Sequence, residues 1–133
     1  FNMNLIKAIN TTNAPSAIGP YHQAIKANGF LFCSGQIAID PKTNQLVTSD
    51  IASETEQIMK NICALLEAES LSTGNIVKAS IFMRNMDDYA QVNKIYAQYF
   101  KDGKYPAREA VAVAGLPKNV NLEISIIATY QWP

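Results

Sequence analysis

Two side chains near the C-terminal end of this 133-residue chain have the chemistry of a small-acid site. Arg108 enters an apolar segment, residues 111–116, and the turn Leu116-Pro117-Lys118-Asn119 leads to a second apolar segment, residues 122–130, that carries Glu123. A planar guanidinium holds a carboxylate through two parallel hydrogen bonds. A carboxylate beside apolar residues can orient or deprotonate water. The spacing predicts the cation near one strand and the acid on the next, where the same two groups could equally close a structural salt bridge.

Composition removes several other chemistries. Eleven Lys and Arg balance eleven Asp and Glu, a formal charge of zero, so the chain lacks the excess positive charge that drives contact with phosphate backbones, and nucleic acid is a poor partner. Apolar runs are a few residues long, far short of the about 20 needed for a membrane helix. The start has no basic-then-apolar signal pattern, and a cytoplasmic protein without membrane contact is expected. His22 is the only histidine, which removes most metal sites and any serine triad built on a second one; no metal is expected. Cys33 and Cys63 lack metal-ligand spacing and read as small buried hydrophobes in a reducing compartment, with a disulfide as the alternative. A length of 133 residues at 48% hydrophobic content predicts one domain, residues 1–133, around one core.

The elements that must hold these side chains are also patterned. Residues 5–9 form a short apolar strand, and turn formers fill 10–15. Pro15, Gly19 and Pro20 keep 14–21 irregular, so a stiff loop of the kind that frames ligands delivers Tyr21 and His22 to the next strand; simple packing is the other reading of Tyr21. Residues 24–27 and 30–39 flank Asn28-Gly29, a hairpin signal. Alternation puts Phe30, Phe32 and Ser34 on one face and Leu31, Cys33 and Gly35 on the other, where Gly35 permits close backbone approach. Ser34-Gly35 either borders a pocket or marks a bulge or strand end. The spacing of Ile51, Thr55, Ile58, Ile62, Leu65 and Leu66 predicts a helix to about Ala68, capped by Ser49. Residues 76–83 alternate as a half-buried strand. Asn85, with Asp88, opens a second helix lined by Val92, Ile95, Tyr96, Tyr99 and Phe100; Asn93 falls off that stripe, as a solvated polar residue would. Three strands, helix, strand, helix and two strands make an α+β sandwich. Residues 110–114 and 124–128 place apolar side chains on both parities, as strands buried on both faces do, so a partner subunit is expected over the face the helices leave open.

The set Gly19-Pro20-Tyr21, Ser34-Gly35-Gln36, Pro106-Ala107-Arg108, Val111, Val113, Leu116-Pro117 and Leu122-Glu123-Ile124 resembles the signature of the RidA family, also called the YjgF or translation-inhibitor family, over nearly the whole chain. The resemblance implies the chorismate-mutase-like two-layer sandwich, a mixed sheet of about six strands with two helices on one face. It implies a homotrimer with its sites in the clefts between subunits. It also implies cofactor-free hydrolysis of small 2-imino or 2-enamino acids, such as 2-aminoacrylate, 2-iminopropanoate and 2-iminobutanoate, to 2-keto acids and ammonia. On this resemblance Arg108 binds the substrate carboxylate, Glu123 handles the water, Tyr21 packs on or hydrogen-bonds the substrate, and Ser34 and Gly35 shape the wall. Asn93, within Val92-Asn93-Lys94-Ile95-Tyr96, contributes from the second helix, and the backbone of Ala110 holds ligand. Two departures stand out. Many relatives carry a cysteine where Ala110 stands, which leaves only backbone to act there, and Glu109 next to Arg108 could compete for the guanidinium. A non-catalytic trimer that binds keto acids, and a ribonuclease or translation inhibitor, are the alternative functions.

Overall fold

The fold was analysed in a computed structural model that describes residues 5–131. The expected strands and helices form in the expected order, with one small addition. β1 (Lys7–Ile9), β2 (Ala24–Ala27) and β3 (Phe30–Gln36) are followed by a short ribbon of β4 (Ile39–Asp40) and β5 (Gln45–Leu46). Then come α1 (Ile51–Glu67), β6 (Ile76–Met83), α2 (Tyr89–Ala97), β7 (Ala107–Ala112) and β8 (Leu122–Thr129). The main sheet has the order β1-β2-β3-β8-β6-β7. Its β6–β7 pair is parallel and its other pairs are antiparallel, so the sheet is mixed and the fold is the α+β two-layer sandwich.

Local chemistry explains most of the boundaries. Asn28 and Gly29 have φ of 51° and 81°, the left-handed pair that a type I′ hairpin requires. Asp50, not Ser49, caps α1: its carboxylate accepts from the Ser53 amide at 2.7 Å, because Asp50 is the extended residue directly before the first helical one. Asn85 accepts from the Asp87 amide at 2.9 Å, but it opens a 3₁₀ turn, Met86–Asp88, ahead of α2. α2 stops at Ala97, so Tyr99 and Phe100 pack from the turn beyond it. β7 begins and ends about four residues earlier than apolar content suggested, because register with β6, from Lys78↔Ala107 to Met83↔Ala112, defines it.

The core lies between the sheet and the helices. Ile58, Met59, Ile62, Leu65 and Leu66 of α1 are fully buried, as are Leu31, Ile81, Leu122 and Ile124 of the sheet. Each such side chain contributes about 1.5–3 kcal/mol of burial. β8 alternates buried and half-buried residues along its whole length, and its second face is open. Phe32 and Val111, each 43% exposed, and Phe30 lie on that face. Among the described residues, no helix is long and apolar enough to cross a membrane.

Candidate functional site

Glu123 is the second residue of β8, and α1 places it. Glu54 of α1 is completely buried and accepts from the Asn121 amide at 2.9 Å, the Leu122 amide at 3.1 Å and the Asn121 side chain at 2.8 Å. The Arg84 amide donates to the Asn121 carbonyl at 3.0 Å, so the start of β8 is held from two sides. The register of β3 against β8 slips between Cys33 and Gln36. This bulge turns Gly35 toward Glu123, which corrects the alternation that put Gly35 on the face of Leu31 and Cys33. A Cβ on Gly35 would sit 2.7 Å from Glu123 Cδ and 3.0 Å from Cγ, and closer still to Oε2. Only glycine leaves the carboxylate where it is.

The loop before β2 closes over the same place. The Ser34 hydroxyl donates to the His22 carbonyl at 2.7 Å, and buried Gln23 accepts from the Thr11 amide at 2.7 Å while donating to the Pro15 carbonyl at 2.7 Å. The Tyr21 hydroxyl accepts from the Ile18 amide at 3.2 Å. Tyr21, Ser34, Gly35 and Glu123, with Ile18 and Pro117, line a cavity of about 350 Å³. Burial, with no compensating donor or cation among the described residues, raises the Glu123 carboxyl above its usual range. Such a group keeps its proton to higher pH and is unspent once ionised, as acid/base work requires.

Arg108 occupies a different cavity. It lies opposite Ala79 in the β6–β7 register, and therefore on the helix side of the sheet. Its Nη2 donates to the Tyr89 hydroxyl at 3.0 Å. The guanidinium carbon is 5.7 Å from the Tyr89 ring centre and 5.1 Å from that of Tyr96, within cation–π range. Asn93, Tyr96, Tyr105, Pro106 and Arg108 line about 270 Å³ of space. Asn93 is half-buried here, not solvated, and its Oδ1 and the Tyr96 hydroxyl are buried without a hydrogen-bond partner among the described residues. Burial pushes the Tyr96 phenol up to about 12, against the lowering effect of Arg108, so the hydroxyl stays neutral. Ala110 packs against the core on the same side.

The expectation that Arg108 and Glu123 occupy neighbouring strands is corrected by the topology, because β6 runs between them. Arg108 pairs with Ala79 and Ala79 with Ile126, three residues from Glu123. Strand spacings then put the two Cα positions about 14 Å apart, and the odd offset puts the side chains on opposite faces. An internal salt bridge between them is therefore impossible, and neither cavity contains both. The structure gathers Tyr21, Ser34, Gly35 and Glu123 in one cavity and Asn93 and Arg108 in the other; Ala110 lines neither. Glu109 does not compete for the guanidinium. On the open face it accepts from the Ser80 hydroxyl and pairs with Lys78 at 2.9 Å, contacts that hold its carboxyl below the usual range. Among the described residues, no group of three or more His, Cys, Asp or Glu side chains could hold a metal ion. Both cysteines are free, and burial pushes Cys33 up to about 12 and Cys63 to about 11.

Residues 11–130 match the family described as endoribonuclease L-PSP. The chain belongs to that family, known also as RidA. A RutC-family protein of Pyrococcus horikoshii is 50% identical, over 92% of this chain and 96% of its own. The Mus musculus 2-iminobutanoate/2-iminopropanoate deaminase is 42% identical, over 92% and 90% of the two chains. The solved structure of E. coli TdcF with bound serine has a TM-score of 0.89 at 38% identity, covering 94% of this chain and 99% of that one.

Against the RidA signature, the structure adds residues that sequence reasoning missed. Gln23 ties down the loop that carries Tyr21, and nothing in its local sequence marks it. Glu54 had a visible signal: it stands one turn ahead of Ile58 on the apolar stripe of α1, where a carboxylate must find buried donors. Tyr89, Asn93 and Tyr96 recur at helical spacing along α2, a polar and aromatic stripe beside the apolar one.

Proposed function

We propose that this protein is an imine deaminase, hydrolysing small 2-imino and 2-enamino acids such as 2-aminoacrylate and 2-iminobutanoate in clefts shared between subunits of a homotrimer. The observation that carries the reading is the division of the candidate residues. Glu123 and Arg108 line separate, open cavities on opposite faces of the sheet, and each has capacity left unspent. A second copy laid against the open face, which exposes Phe30, Phe32 and Val111, would bring one copy's Arg108 cavity to the other's Glu123 cavity.

In such a cleft, Arg108 binds the substrate carboxylate through its free guanidinium edge, with Asn93 beside it and the Ala110 backbone offering further hydrogen bonds. Tyr21 and Ser34 bound the other side, and Gly35 leaves the space that Glu123 occupies. The iminium carbon is already electrophilic, so positioning and one acid/base group suffice. Glu123 takes a proton from water as the oxygen bonds to C2, and the C=N π electrons move to nitrogen. The proton is returned to that nitrogen; Glu123 then takes the proton of the new C2 hydroxyl as its O–H electrons form the C=O bond and the C–N bond breaks, and that proton leaves with the ammonia as ammonium, beside the 2-keto acid. The relative named as a deaminase supports the reaction class, and the serine bound by TdcF supports a small α-carboxylate ligand. The family description also names an endoribonuclease; zero net charge offers little to a polyanion.

The test is ammonia release from imines generated by a coupled amino-acid dehydratase. Arg108→Ala and Glu123→Ala should each abolish it. Unfolding and reassembling the two inactive variants together should restore about a quarter of wild-type activity, because a shared cleft is whole only when each side comes from the copy intact there. No restoration by mixed assemblies would overturn the shared site, and wild-type protein that binds 2-oxobutanoate without accelerating ammonia release would overturn the enzyme.

A further inference from the structure

The guanidinium that is to meet a substrate carboxylate belongs to a long side chain on an edge strand, and free rotation would spread it over many positions. Its protein contacts are unusual for an arginine. Among the described residues, no carboxylate pairs with Arg108: Glu109 is turned to the other face and engaged by Ser80 and Lys78. The Arg108 side chain donates instead to a neutral phenol, from Nη2 to the Tyr89 hydroxyl at 3.0 Å, and its guanidinium carbon lies 5.7 Å and 5.1 Å from the Tyr89 and Tyr96 ring centres. Tyr89, Asn93 and Tyr96 stand at i, i+4 and i+7 on one face of α2; Asn93 and Tyr96 line the cavity, and Tyr89 meets it through the Arg108 side chain.

A carboxylate partner would orient the guanidinium but also neutralise it. A phenol orients it and leaves the charge for an incoming anion. Tyr96 is buried and forms the floor; Tyr89, at the start of α2 and exposed, contributes its hydroxyl as acceptor. We propose that Tyr89 is a positioning residue, whose hydroxyl holds the Arg108 guanidinium in the plane from which it captures the substrate carboxylate. This rests on the reading of Arg108 as the carboxylate anchor.

Tyr89→Phe keeps the ring and removes the acceptor from an exposed position, so folding is not at stake. In the variant, KM for imine hydrolysis and the Kd for 2-oxobutanoate, measured by calorimetry, should both rise about tenfold, the worth of one hydrogen bond to a charged group, while kcat stays within about twofold. The Arg108 Nη protons, resolved by NMR in the wild type if rotation is held, should average in Tyr89→Phe. An unchanged Kd overturns the proposal, and so does a raised Kd with unaltered guanidinium rotation, since Tyr89 would then act by another route. Wild type that binds 2-oxobutanoate without hydrolysing imines removes the deaminase reading and leaves the clamp standing. Wild type that is active, with Tyr89→Phe its equal in KM, removes the clamp and leaves the deaminase.

Discussion

Replacing Gly35 with alanine separates the placement of Glu123 from the stability of the fold. Gly35 is not in the left-handed region, so alanine meets no backbone strain there and gains about 0.4–1 kcal/mol by restricting the unfolded chain. Against this stands the new methyl, 2.7 Å from Glu123 Cδ and 3.0 Å from Cγ, which the half-exposed glutamate escapes by leaving its rotamer at about 0.5–1.5 kcal/mol. The two terms nearly cancel, and the urea midpoint should move by no more than the equivalent of about 1 kcal/mol. The carboxylate itself must shift by the order of an ångström, and a misplacement of that size costs about a hundredfold in rate. Ammonia release by Gly35→Ala should therefore fall about a hundredfold in kcat, with little further loss when Gly35→Ala is added to Glu123→Ala. A folded Gly35→Ala protein with kcat within about threefold of wild type would refute the link between the bulge and the placement of Glu123.

The raised Glu123 carboxyl carries a signed pH dependence. Under the proposed function the carboxylate that would accept a proton from water accumulates as pH rises, so kcat/KM should climb through an apparent pKa above the ordinary 4.5 of glutamate, and a profile inflecting below that value would contradict the cause assigned here. For stability the sign is opposite. Burial disfavours the charged form in the folded state, so the contribution is complete below the ordinary pKa and is lost as pH rises through the raised one. Glu123→Gln should therefore melt higher than wild type at pH 7 and lose that advantage near pH 4; equal differences at both pH values would show that the charge is not what matters. Glu54→Ala strands two backbone amides and one side-chain amide and should destabilise by about 3 kcal/mol or more in urea unfolding, with Glu54→Gln closer to wild type. A loss under about 1 kcal/mol would mean that water replaces the carboxylate there.

The elements were legible where chemistry is local. The Asn28-Gly29 turn, the α1 stripe and the alternation of 76–83 each report on neighbours in sequence, and each appears in the structure. The family motif carried the fold further than periodicity could, because strand order depends on contacts far apart in the chain. Sequence order therefore misled about Arg108 and Glu123: consecutive strands are usually neighbours, but β8 inserts between β3 and β6 and leaves β7 at the edge. Gly35 failed for a related reason, since one inserted residue in β3 reverses facing beyond it. Spacing alone leaves Asn93 as a solvated polar residue because it reads the apolar stripe of α2 by itself; the resemblance sets it at the site, and the second stripe has meaning only once β7 lies beneath it. The Glu109 contacts likewise depend on the parallel register that sets Ser80 opposite Glu109.

The division of the candidate residues also bears on how copies would assemble. Arg108 looks toward the helices at the outer edge of the sheet, whereas Glu123 looks away from them two strands further in. A cleft that joins them matches unlike patches, one presented by the edge of one copy and the other by the open face of the next. Unlike patches on opposite faces make a head-to-tail contact, and such contacts close into a ring or grow without end. Under the proposed function the ring is the soluble solution, and it covers Phe30, Phe32 and Ile127 at the same stroke. The two-parity apolar pattern of β8 would follow directly: Ile124 and Ile126 face the helices of their own chain, and Ile127, on the open face opposite Phe32, would face the neighbour. The residues that would make the chemistry and those that would make the assembly thus alternate along a single strand, and a change of one residue in its register would exchange the two roles.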